Sequence, residues 1–372
     1  MGTNSRRPPF HAEHIGSLLR PKRLLEARQQ WREGTLPKSE LRAVEDQCIL
    51  DAVAMQEQAG LKGVTDGDFR RDDWLMDFLL GLDGFRDSGK SFEVPFSGDV
   101  VYRAPIMRVV DKIAWPSEES TVADFEFLAA QTRGTAKLCI PAPAMAYTMI
   151  APQRLRTEIY SDFDELWSDL GRAYRDSIAA YAAAGCTYLQ IDDVNSVSLT
   201  DPGRQAFWRS LGREPEELLR ALIEINNAAL ASRPSTMTVV VHLCRGNFKS
   251  QWAGEGGYEA VAEQYFSTLD VDGFLLEYDD ERSGGFEPLR FVPRDKPVVL
   301  GIVTSKRPEL ENQDALKRRI DEASRYVSID NLGISPQCGF ASTHHGNLLT
   351  EDDERRKLQY IVEVAEDVWG DR

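Results

Sequence analysis

Between residues 44 and 59 apolar side chains fall at 44, 48, 49, 52 and 53, one face of a helix, and the pattern stops at Gly60. Leu61-Lys-Gly-Val-Thr follows as a short strand and leads into Asp66-Gly-Asp68. The same grammar returns at 161–184. There Ser-x-x-Asp offers a capping box, Leu166, Leu170, Tyr174, Ile178 and Tyr181 form the stripe, and Gly185 is the stop. Tyr188-Leu-Gln-Ile then leads into Asp192-Asp193. A helix, a glycine stop, a short apolar strand and then polar residues are the repeating unit of a parallel α/β sheet.

Eight strands of this type are predicted, at 13–17, 63–67, 137–141, 188–192, 238–244, 273–278, 298–303 and 332–336. Helical patterns at 215–231, 258–269 and 312–327 separate later strands, and 351–368 closes the chain. Eight alternating units predict an α/β fold of the (β/α)8 TIM-barrel type. The stretch 82–135 is too long for one connection. Its alternation around Val100–Arg103 and Met107–Val110 predicts a hairpin inserted after the second unit. Nothing reads as an interdomain linker, so 1–372 is expected to be a single barrel domain with a loose tail at 1–10.

In such a barrel chemistry gathers at the C-terminal strand ends. The polar residues there are His14 and Ser17, Asp66 and Asp68, Asp192 and Asp193, His242 and Cys244, Glu277, Lys306 and Cys338. His242 and Cys244 are two apart in Val-Val-Val-His-Leu-Cys and share a strand face. With Glu277 and Cys338 they make a borderline-soft donor set suited to Zn2+. The alternative for Glu277 is a rim carboxylate paired with an arginine, and for Lys306 a rim lysine paired with an acid. Asp68 and Asp192 could bind substrate or cap the helices that follow. His344 and His345 read as loop histidines more readily than as further ligands.

Composition narrows the field. The 372 residues are 42% hydrophobic and 28% charged, with a formal charge of −16, which argues against nucleic acid or an anionic membrane as partner. No apolar run approaches the length of a membrane span, and the polar start of the chain is no signal peptide. Five scattered cysteines fit a reduced, cytoplasmic protein. No dinucleotide or Walker glycine pattern is present. Two thiolates and a carboxylate would leave a bound dication anionic. Such an ion activates water poorly but holds a substrate thiol as thiolate, ready to attack carbon.

These residues resemble the catalytic half of cobalamin-independent methionine synthase, and more closely its shorter, single-barrel members. The similarity runs from His14-Ile-Gly-Ser-Leu-Leu-Arg-Pro21 to Pro336-Gln-Cys-Gly339. It implies zinc on His242, Cys244, Glu277 and Cys338. It implies a substrate pocket that includes His14, in which Ile15 and Ser17 take the amino-acid carboxylate, while Asp68 and Asp192 take the ammonium. Arg103, in Tyr-Arg-Ala-Pro-Ile, matches an arginine on the methyl-donor side.

The chain departs from the family in lacking the N-terminal barrel of the full-length enzymes. Lys306, in Lys-Arg-Pro, stands where the family has a proton-donating histidine, and no tryptophan lies within 144–150. The expected activity is a cytoplasmic, zinc-dependent S-methyltransferase. Its partners would be a small thiol, homocysteine, and a methyl donor, 5-methyltetrahydrofolate or a relative. Asp192 and Lys306 would act at the reaction centre, and homo-oligomerisation is left open. The alternatives are thiol addition to another electrophile, as in epoxide–coenzyme M transferases, or a non-catalytic barrel with structural zinc.

Overall fold

Seven of the eight predicted strands pair side by side in one parallel sheet. The computed structural model describes residues 7–116, 120–150, 158–210 and 212–370. Numbered along the chain, the strands are β1 (Gly63–Val64), β2 (Asp83–Phe96), β3 (Val100–Ala114), β4 (Thr135–Pro141), β5 (Tyr188–Asp193), β6 (Thr238–Leu243), β7 (Gly273–Glu277), β8 (Val298–Val303) and β9 (Leu332–Pro336). The sheet order is β1-β4-β5-β6-β7-β8-β9, with every pairing parallel. β7 and β9 are buried at every position and β8 likewise, which is why they read as unbroken apolar runs rather than alternating ones.

The segment predicted as the first strand, 13–17, is not a regular strand. It nevertheless joins the sheet's two edges. Ala12 bridges Ile334 in parallel, the Glu13 amide donates to the Ile334 carbonyl (2.9 Å), and the Leu18 amide donates to Gly67 (3.1 Å). The sheet thus curls into the expected barrel. Its inner layer is Ile15, Tyr188, Val240, Leu275 and Val299, while the other strand faces join the larger core beneath the surrounding helices.

Helices form where the apolar stripes predict them: Lys38–Ala59, Phe163–Ala183, Pro215–Leu230, Glu259–Thr268, Gln313–Ala323 and Glu351–Trp369. The cap of Phe163–Ala183 is Asp162, whose side chain accepts from the Glu165 amide, so Ser161 is not the capping residue. The expected loose tail ends sooner than residue 10. Residues 1–6 lie outside the described residues, but Phe10 is buried and its amide donates to the Glu13 carboxylate.

The insertion is a hairpin, with different arms from those predicted. Val100–Arg103 and Met107–Val110 both lie on β3, and its antiparallel partner is β2 across a turn at 97–99. β2 hides from pattern reading because most of its residues are exposed and its register slips between Asp87 and Ser91. A helix, Ser120–Gln131, leads back to the barrel at β4. Among the described residues no helix is long and apolar enough to cross a membrane.

Candidate functional site

Parallel register sets the floor of the site. Asp192 pairs in register with His242, and residues two apart on each strand share the barrel interior, so Gln190, Asp192 and His242 rise above the Tyr188–Val240 layer. Cys244 continues the β6 line. Cys338 comes from the turn after β9, where the neighbouring Gly339 is required: a Cβ there would lie 1.9 Å from Ser17 Oγ. The Ile15-Gly16-Ser17 turn has the same constraint at its centre. Gly16 has φ +117°, and a Cβ would meet Cys139 Sγ at 2.5 Å.

Ligand atoms of His242, Cys244 and Cys338 all lie within 4.8 Å of one another, and all three residues are buried. The two sulfurs are 3.2 Å apart and neither belongs to a disulfide. His242 Nδ1 faces the Leu275 carbonyl at 3.2 Å, which fixes the proton there and leaves Nε2 as a buried atom without a hydrogen-bond partner. The Cys244 thiol, with the help of His242, holds Cys338 well below the ordinary thiol value. Cys244 itself is pushed up by Cys338 and by burial. A buried imidazole nitrogen beside two close cysteine sulfurs fits a borderline-soft cation such as zinc.

Glu277 is buried next to this cluster but is not part of it. Its carboxylate is held by Arg282 (2.5 Å) and by the Arg245 amide (2.9 Å), with Lys306 Nζ at 3.8 Å. Of the two readings that the sequence allows, the carboxylate–arginine pair is the one realised here. Lys306 is bound to Asp279 (2.6 Å), which Arg282 also contacts (2.9 Å), so the lysine belongs to a buried ion network. It is not among the residues lining the adjoining cavity.

That cavity, of about 810 Å³, opens over the cysteines and is lined at this end by Ile15, Ser17, Asp68, Asp192, His242, Cys244 and Cys338. Burial pushes the Asp192 carboxyl up to about 7, and Asp68 and Cys338 add to the rise, against His242 and the Gln190 amide, which donates at 2.7 Å. Asp68 is also raised by burial, although Arg71 lies 3.3 Å away. Its positive φ of 60° marks a backbone held in a sparsely populated region at the turn. Two acids at one end of a cavity, Asp68 buried and Asp192 half-buried, can receive a cation.

Two expected substrate residues lie elsewhere, each for reasons of strand parity. His14 is on the opposite face from Ile15. Its ring is buried against Gly63, Gln56 and Lys137, where burial and the lysine lower it to about 3, and it does not line the cavity. Arg103 points outward to Glu93 (3.4 Å) with three-quarters of its side chain exposed, whereas its neighbours Tyr102 and Ala104 face the cavity. His344 and His345 pack against each other with their rings tilted and do not join the cysteine cluster.

Sequence reasoning missed three contributors. Gln190 could have been found from its spacing of two before Asp192. Asn247 donates to the Gly339 carbonyl (2.8 Å) and so ties the β6 loop to the Cys338 turn, with no sequence signal. The opposite wall, Phe92, Val94, Phe96, Tyr102 and Ile106, comes from the hairpin.

Comparison with known proteins follows the same outline. The family model "Cobalamin-independent synthase, Catalytic domain" matches residues 10–367. The uncharacterized protein YxjH of Bacillus subtilis (strain 168) is 45% identical over 367 residues, covering 98% of this chain and 96% of its own. A methionine synthase of Saccharolobus solfataricus is 25% identical over 365 residues, covering 96% and 95%. Among solved structures, the putative vitamin-B12 independent methionine synthase from Listeria monocytogenes superposes with a TM-score of 0.78 at 36% identity, covering 98% and 99%. A B12-independent methionine synthase from Shewanella sp. W3-18-1, solved in complex with selenomethionine, gives 0.73 at 22% identity over 96% and 97%.

Proposed function

We propose a reaction for this chain, which belongs to the cobalamin-independent methionine synthase family and is a methyltransferase: it moves a methyl group from a small donor, 5-methyltetrahydrofolate or a relative, onto the sulfur of homocysteine. One observation carries this reading. The buried His242–Cys244–Cys338 cluster and the acids Asp68 and Asp192 share one end of a single cavity. A thiol that also bears an ammonium group is the ligand that satisfies both halves. The Shewanella protein's complex with selenomethionine, an amino acid of that shape, supports the assignment.

His242, Cys244 and Cys338 would hold zinc, with Glu277 as a further oxygen donor if it leaves Arg282. When bound, the ion supplies the acidity that keeps a substrate thiol ionised near neutral pH. The chain's own residues do the rest. Asp68 and Asp192 accept hydrogen bonds from the ammonium, and its positive charge offsets their mutual repulsion. Ser17, at the Ile15–Ser17 turn, meets the amino-acid carboxylate. Held at three points, the sulfur has one direction in which to face the donor, which converts an encounter into a positioned attack. Structural zinc would be walled off, but here both cysteines line the open cavity.

The test is direct. The purified protein is incubated with homocysteine and a donor carrying an isotopically labelled methyl group, and labelled methionine is measured by mass spectrometry. Methionine should form with the native chain and not with Cys338→Ser. Failure of the native, zinc-loaded protein to make methionine from any donor would remove the reading.

A further inference from the structure

Beyond Asp68 and Asp192, the carboxylates lining the cavity are Asp73, Glu93 and Asp201, and among the described residues its guanidiniums are Arg204 and Arg245. The acids are already matched. Asp73 accepts from the Tyr102 hydroxyl (2.7 Å) and from the Leu75 and Met76 amides (2.8 and 3.0 Å). Asp201 accepts from the Arg204 and Glu255 amides (3.0 and 3.2 Å), and Glu93 pairs with Arg103 (3.4 Å). Arg245 is matched as well, donating to the Tyr258 hydroxyl (2.8 Å) and to the Glu277 and Gly256 carbonyls (3.1 and 2.7 Å). Arg204 is different. Among the described residues its side chain makes one hydrogen bond, to the Ala253 carbonyl at 3.2 Å, and no ion pair. Burial lowers it from its ordinary value while Asp201 pulls the other way, and a guanidinium stays charged throughout.

A partly desolvated guanidinium short of acceptors is a receptor for a carboxylate, which it grips through two parallel N–H···O bonds. Its surroundings narrow the ligand further. Arg204 sits on the helix Pro202–Ser210, one turn past Asp201 and one turn before Phe207 and Trp208, so one face of that helix turns to the cavity. Phe207 and, on the hairpin, Phe92 line the space but keep 53% and 37% of their surface exposed. A free guanidinium in company with open aromatic faces suits an aryl group that carries a carboxylate. The aminobenzoyl-glutamate part of a methyl-folate has that form. Arg103, the arginine expected on the donor side, is turned outward onto Glu93 and leaves the task to Arg204.

We infer that Arg204 holds a carboxylate of the glutamyl tail of the folate donor and so selects a donor with that tail over a bare methylpterin. This rests on the methyltransferase reading above and names the residue that reads its donor. The guanidinium fork spans the carboxylate, and the aryl ring lies against Phe207. Homocysteine, bound at the cysteine end by Asp68, Asp192 and Ser17, has no part in this contact.

Titration calorimetry of the zinc-loaded chain compares 5-methyltetrahydrofolate monoglutamate with 5,6-dimethyltetrahydropterin, which has the methylated ring and no tail. Arg204→Gln should weaken folate binding about tenfold or more and leave pterin and homocysteine binding within about twofold. Arg204→Lys, which keeps the charge and loses the fork, should fall between. In turnover the same loss should appear as a raised KM for folate at a nearly unchanged kcat. A loss shared by homocysteine would give Arg204 a merely structural role, and unchanged folate binding would remove the contact; either overturns the inference. A native chain that binds no folate overturns it too. Methionine formation separates it from the reading on which it rests. Methionine made from folate with the same KM in both chains sinks the inference and keeps the methyltransferase. Folate binding that depends on Arg204, with no methionine formed, sinks the methyltransferase and keeps the contact.

Discussion

The floor and the hairpin wall of the cavity are built by opposite means. The floor consists of strand ends whose register places Asp192 beside His242, and apart from the half-buried Asp192 its side chains are nearly fully buried. The wall is a two-stranded ribbon that would be marginal alone. It is pinned at a few points: Ser97 to the Trp252 carbonyl (2.8 Å), Tyr102 to Asp73, and the Ile113 amide to the Tyr160 hydroxyl (2.6 Å). Its outer face is open, with Val101 48% exposed. Changing the floor disturbs a packed core, whereas on the wall only the base of the hairpin, Phe85, Met107, Val109 and Ile113, joins that core. On the proposed reading, thiol chemistry falls to the part of the fold that is hardest to vary, and the opposite wall to a part that can vary more.

The largest expected effect is at the floor. Cys338→Ser should drop bound zinc from about one per chain to a small fraction and reduce methyl transfer by about a thousandfold or more, since one soft donor of the cluster is lost. Metal analysis and methionine formation give the two readouts, and removal of the metal from the native chain by a chelator should reproduce both. Full zinc retention in the variant would show that the metal chemistry does not reside in this cluster and would erase the distinction between floor and wall.

Asp192→Asn should be milder and selective. Loss of one charge-assisted hydrogen bond costs about 1.5–3 kcal/mol, or about 10- to 100-fold in affinity. Titration calorimetry should find that loss for homocysteine and little change for 2-mercaptoethanol, which has the thiol and no amine. Equal losses for both thiols would mean that Asp192 shapes the floor without reading the ammonium.

The same contrast decides what could be read from sequence. β7, β8 and β9 were legible because burial on both faces leaves unbroken apolar runs, and the soft donors stood at the ends of such runs. β2 was not, because Asp83-Gly-Phe-Arg-Asp-Ser-Gly-Lys is mostly exposed and obeys no period. His14 and Arg103 show the resolution limit of pattern reading. Each lies one residue from cavity-lining neighbours, and one step along an extended chain reverses the side chain's direction. The company of Glu277 was out of reach for another reason. Arg282 and Lys306 approach from separate loops, and only the folded barrel brings them to one carboxylate.

The floor also depends on a buried carboxyl outside the cavity. Glu354, on the closing helix, accepts from the Leu19 amide (2.7 Å), two residues beyond Ser17. Burial raises it from 4.5 to about 8, so the fold favours its protonated form. Between about pH 4.5 and 8 the folded chain then holds a proton that the unfolded chain has lost, and stability falls as pH rises through that window. Glu354→Gln keeps an acceptor without the charge. It should flatten that slope and be more stable than the native chain at pH 8 by about 1–3 kcal/mol, a pKa unit being worth about 1.4 kcal/mol. Urea unfolding at pH 5 and pH 8 measures it, and an unchanged slope would assign the pH dependence to other groups.

The smallest effect on the reaction is expected at Lys306, which belongs to neither region. Its ammonium lies on Asp279 at 2.6 Å and 3.8 Å from Glu277, outside the cavity lining. Lys306→Met leaves Asp279 with Arg282 (2.9 Å), so the buried acid keeps a partner. The stability cost should stay below the about 3–5 kcal/mol typical of a buried charge left alone. Methyl transfer should change by less than about threefold, because Lys306 does not line the cavity. If methyl transfer is efficient in the native chain and collapses in Lys306→Met while the variant stays folded, the lysine reaches the donor after all.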